Sequence, residues 1–149
     1  MKKKYYMFSI LLIAMACSEP VKWKDQITNS EMIALYGISR NPTDPADQNP
    51  DKVYCQDYEI LKSVSLTPEQ VVLLKASLVN QDNYSKEDLK RCPFMPEYAL
   101  SIDSSLAIII GMKPCARIWF KNEINGKEKL MDLVRENEIE KILNQIVNQ

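Results

Sequence analysis

Three β-rich runs crowd the second half of the chain, Glu97–Ile102, Ser105–Ile110 and Cys115–Phe120, with only a few residues between one and the next. That spacing is a meander of antiparallel strands. Asn125-Gly126 then gives a hairpin signal, because a type I′ turn needs positive φ at both central positions, and Lys129–Leu133 reads as the returning strand. Ile139, Ile142, Leu143 and Ile146 follow at i, i+3, i+4 and i+7, the spacing of an amphipathic helix.

The first half adds less. Thr67-Pro68-Glu69-Gln70 is a helix start: Thr caps, Pro at N1 loses no needed N–H, and Gln completes a capping box. The helix runs to about Val79, with Val71, Leu74, Leu78, Val72 and Val79 on its apolar face. Tyr58–Leu66 reads as a strand. Thr28 with Glu31 fits a capping box before Met32, Ile33, Leu35 and Tyr36, which predicts a short helix ending at Gly37. Residues 39–52 hold three Pro and three Asp and read as a long loop. The sum is an α+β domain: an antiparallel three- to four-stranded sheet with helices packed on one face and a C-terminal amphipathic helix.

The N-terminus carries an address. Lys2-Lys3-Lys4 precedes an apolar stretch from Tyr5 to Ala16, and Cys17 follows. A basic segment, a short apolar segment and small residues before a cut form a secretory signal. Twelve helical residues rise about 18 Å, short of the roughly 30 Å hydrocarbon core of a bilayer. Ala14-Met15-Ala16-Cys17 resembles the lipobox of bacterial lipoproteins. The resemblance implies cleavage before Cys17, a lipid thioether on its thiol, and anchorage in the cell envelope. Ser18 stands where an Asp would retain such a protein at the inner membrane, which implies the outer membrane. The organisation expected is therefore a signal over 1–16, a lipid-anchored tether over 17–27 and one α+β domain over 28–149. The part after the signal has 133 residues, 16 basic against 20 acidic.

Three other cysteines remain. A two-residue turn at Asp103-Ser104 would oppose Ile102 to Ser105, and the same register carried down the hairpin opposes Cys92 to Cys115. Pro93, Pro96, Gly111 and Pro114 break the ladder first, so this is proximity at one end of the sheet rather than a cross-strand pair. An oxidising envelope favours a Cys92–Cys115 disulfide. The pair has neither CxxC spacing nor a recognisable activating environment, and reads as a staple rather than a redox centre. Cys55 is left over.

The chain has no His, which excludes Ser-His-Asp and Cys-His catalytic sets and His metal ligands. Glycines at 37, 111 and 126 are too few and too far apart for a phosphate-cradling loop. Formal charge near zero gives no reason to bind nucleic acid. Asp47, Asn49 and Asp51 begin like a calcium loop, but Lys52 stands where that loop needs Gly and Tyr58 where it needs Glu. Carboxylate pairs such as Glu87-Asp88 read as surface charge.

The expectation is no catalytic residue, no metal and no cofactor. The partners expected are the membrane, through the lipid, and a protein in the envelope. Arg117, Trp119 and Lys121 alternate on one strand and form the candidate binding face, since an exposed aromatic beside a cation is an anchor of hot-spot type. An inhibitor or immunity-type module leads, followed by an accessory lipoprotein of a membrane complex and then a carboxylate-only hydrolase.

Overall fold

The computed structural model describes residues 23–87 and 91–148. Cys17, the signal segment and most of the expected tether lie outside them. The described chain runs α1 (Lys24–Thr28), β1 (Ile33–Ile38), β2 (Tyr54–Cys55), β3 (Tyr58–Val64), α2 (Pro68–Val79), β4 (Pro96–Ile102), β5 (Leu106–Gly111), β6 (Arg117–Asn122), β7 (Glu128–Asp132) and α3 (Glu138–Val147). All seven strands form one antiparallel sheet in the order β2-β3-β1-β4-β5-β6-β7, curled into a half-barrel. This corrects the expected three- to four-stranded sheet.

The difference traces to β1. Residues 29–36 do not form a helix: the short helix comes earlier, at Lys24–Thr28, largely inside the expected tether. Ile33–Ile38 is a strand paired on both sides, with β3 and with β4. Its side chains alternate, Ile33 and Leu35 joining one core and Tyr36 and Ile38 another. The capping-box signal loses to this pairing. The N–H groups of Glu31 and Met32 donate instead to the carboxylate of Asp103, across the sheet. Because β1 joins β3 to the meander, reading it as a helix leaves β3 without a sheet.

The meander forms by nearest-neighbour pairing. Its first turn carries positive φ at both Asp103 and Ser104, while at Asn125-Gly126 only Gly126 does. The type I′ signature thus sits at the other hairpin. At the second, the Asn122 side-chain oxygen accepts from the N–H groups of Ile124 and Asn125.

One face of the sheet bears Leu35, Leu100, Ile102, Leu106, Ile108, Ile110, Ile118 and Phe120. Ile27 of α1, Leu74 and Leu78 of α2, and Ile139, Leu143 and Ile146 of α3 pack onto it, and Trp23 stacks on Phe120 with ring centroids 5.0 Å apart. The expected capping box at Thr67 and Gln70 is present, with Pro68 at N1. The apolar face of α2 is narrower than expected, because Val72 points outward.

The second face is built from small side chains at its centre. Ala99 and Ala107 are fully buried there, beside Ile109. They leave room for the β2–β3 hairpin to fold back over the sheet, placing Cys55 and Tyr58 in the same cluster. Two contacts fasten its tip to the far end of β6: Asp57 lies 3.6 Å from the Lys121 ammonium, and the Gln56 amide donates to Glu123. The curl therefore closes a second, smaller core where a three-stranded sheet would have left an open face.

Candidate functional site

The expected stripe on β6 is divided by this curl. Arg117, Trp119 and Lys121 do share one face, the second one, while Ile118 and Phe120 go beneath the helices. Arg117 is buried. Its Nε donates to Asp132 at 2.5 Å and its Nη1 donates to the carbonyl of Cys92 at 2.7 Å. It fastens chain segments together rather than facing a partner.

Trp119 remains half-exposed. Its ring meets the edge of Phe94 at a centroid distance of 6.1 Å and carries the Lys121 ammonium 4.4 Å from its own centroid. A cation held over an indole face is attracted by the ring quadrupole. Lys121 is further held by Asp57, so its position is fixed from two sides.

Trp119 is one end of a row that crosses the sheet. The register places Tyr36 opposite Ala99, Ala99 opposite Ile109, and Ile109 opposite Trp119. The two central residues are buried and the two aromatic ends are half-exposed. Ile60 and Phe94 border the same cluster and are also half-exposed. Large rigid side chains thus rim a sealed centre.

Phe94 belongs to a strap, Cys92–Met95, that runs into β4. Cys92 and Cys115 come together at disulfide distance, with Cα atoms 6.4 Å apart. The route to that pairing differs slightly from the register expected. The turn at 103–105 shifts the ladder by one residue, opposing Ile102 to Leu106, and an extra residue at Glu97 shifts it back, opposing Pro96 to Gly111. Gly111 is required there: a Cβ on it would lie 2.7 Å from the carbonyl oxygen of Met95.

Cys55 lies buried in the second core, and desolvation pushes its thiol up to about 11, with Glu123 adding to the rise and Lys121 opposing it. A thiol so placed is a poor nucleophile at neutral pH. In the 39–52 loop, Asn49 accepts from the N–H of Asp51 and Asp44 accepts from the N–H of Ala46, so these oxygens serve local turns. No group of three or more His, Cys, Asp or Glu side chains suited to a metal occurs among the described residues.

Sequence reasoning does not single out Tyr36, Asp57, Phe94 or Asp132 as members of this site. Asp132 carries a usable signal, a charged residue in a returning strand that the hairpin brings opposite Arg117. Tyr36 is hidden by the misread helix. No protein family, curated protein or solved structure matches the chain.

Proposed function

We propose that this chain is a lipid-anchored, non-catalytic lipoprotein of the bacterial outer membrane that binds another protein in the envelope, in the manner of an inhibitor or immunity protein. Its contact surface is the aromatic rim of the second face, centred on Trp119 and Lys121. The observation that carries this reading is the fixed Trp119–Lys121–Phe94 arrangement beside a sealed core. Interface anchors are rigid aromatics with a cation at hand, and their ordering entropy is spent in the fold rather than on binding. The lipobox-like Ala14-Met15-Ala16-Cys17 supports the envelope address.

The test is affinity capture of envelope proteins by the wild-type chain and by Trp119→Ala, with circular dichroism to establish that the variant folds. A partner held by the wild type and lost by the folded variant supports the surface. Equal capture by both rejects it.

A further inference from the structure

We infer that the Cys92–Cys115 bond is a reducible latch on the strap: its reduction uncovers Trp119 while both cores stay folded. Its regulatory meaning rests on the reading of Trp119 as the contact surface.

The argument begins with what holds the strap. No backbone–backbone hydrogen bond is found for Cys92–Phe94 among the described residues, and Pro93 has no N–H to give. Before the chain enters the sheet at Pro96, side chains hold the strap. They act through the bond to Cys115, the Arg117 guanidinium on the Cys92 carbonyl, and the Phe94 ring against Trp119, Gly111 and the border of the second core. At Met95 the strap enters the sheet: its carbonyl lies over Gly111, and Pro96 pairs with Gly111. The first attachment is the only covalent one.

Neither cysteine belongs to a core. Both are half-buried, and neither appears in the cluster beneath the helices or in the cluster under the hairpin. Cutting the bond therefore removes no buried core side chain, and of the strap only Phe94, at the border of the second core, gives up contacts with a cluster. It releases the chain just before β4, and with it the ring that covers one edge of Trp119. Segments with few buried apolar contacts and no backbone pairing open at low cost while the rest of the fold persists.

The chemistry is a two-electron exchange with a dithiol. One thiolate of the dithiol attacks a sulfur of the pair, the S–S bond breaks, and a mixed disulfide forms. The second thiol displaces it. Cys92 and Cys115 leave as two thiols, and the dithiol departs as its own disulfide.

The experiment uses the full-length chain with Trp23→Phe, which makes Trp119 the sole indole. Dithiothreitol is the dithiol. Expected are a red shift of Trp119 emission and a gain in iodide quenching, with far-ultraviolet circular dichroism unchanged and both effects reversed on reoxidation. Unchanged emission overturns the latch. Loss of the dichroism signal also overturns it, because the bond would then hold the whole fold. Should Trp23→Phe fail to fold, limited chymotrypsin digestion of the wild type decides between the same outcomes. The Phe94–Met95 bond must become cleavable on reduction while Trp119 and Phe120 in β6 stay uncut, and a general digestion or no new cleavage rejects the proposal. None of these readings uses a partner. Equal capture by Trp119→Ala would thus reject the contact surface and leave the latch standing, whereas unchanged emission would do the reverse.

Discussion

The Nε of Arg117 lies 2.5 Å from a carboxylate oxygen of Asp132, and the two side chains are only 7% and 1% exposed. Removing one member takes a charge-assisted bond away from the other in a site closed to water. Arg117→Ala or Asp132→Ala is therefore expected to cost about 3–5 kcal/mol. The double change Arg117→Met with Asp132→Leu should cost much less than the sum of the two. Urea denaturation of the three variants reads both quantities. Additive losses would show that the pair does not act as a unit.

Gly111 and Gly37 both lie on strands where a Cβ would collide, but the obstacles differ. At Gly111 it is the Met95 backbone, at 2.7 Å; at Gly37 it is the Lys62 side chain, at 2.9 Å. A backbone cannot swing aside as a lysine can. Gly111→Ala should destabilise by about 1–3 kcal/mol, the usual cost of overpacking, and Gly37→Ala by less. Thermal melts of the two variants give the ranking, and a reversed order would refute the account.

The Cys55 thiol, raised by burial from 9.0 to about 11, binds its proton more tightly in the folded chain than in the unfolded one. Between those two values the unfolded state holds fewer protons, so stability falls as pH rises. Its contribution is complete below about pH 9 and lost on passing pH 11. Cys55→Ala should make the stability profile shallower over that window. Tyr84, whose hydroxyl burial also raises, keeps a residual slope at the upper end. Urea midpoints at pH 8, 9 and 10 distinguish the profiles; superimposable slopes would count against a desolvated thiol.

Lipidation is tested at its acceptor. Each buried CH₂ of an acyl chain contributes about 0.8 kcal/mol, and stable anchoring needs more than one chain. Cys17→Ala should move the protein from the membrane pellet to the soluble envelope fraction. An unchanged distribution after fractionation would set aside the lipoprotein reading.

What the sequence disclosed followed from local periodicity. Strands β4 to β7, α2 with its capping box, and α3 all come from patterns that repeat within a few residues. Ile33–Ile38 failed because its state is decided by neighbours on both sides, one of them more than sixty residues away in the chain. The site was half legible for the same reason. That Arg117, Trp119 and Lys121 share a face is a period-two fact. That Arg117 is buried depends on Asp132 and on the Cys92 carbonyl, which other segments deliver. The small Ala99 and Ala107 gave no sequence signal of the hairpin they admit. The meeting of Cys92 and Cys115 came from a register with two offsets that cancel.

The sheet order has a kinetic consequence. The strands from β4 onward pair with the next in sequence, whereas β1 must close a long loop to reach β4, as Leu35 does in pairing with Leu100. Non-local pairing is slow because closure entropy is lost before contacts form. The core beneath the helices also draws most of its sheet residues from β4, β5 and β6. A chain that emerges N-terminus first therefore holds β1 and β3 without the partners that bury them until the meander has followed. The expected order is that the C-terminal half nucleates and the N-terminal strands are added to it, which φ-values in β1 near zero and higher ones in β5 would bear out.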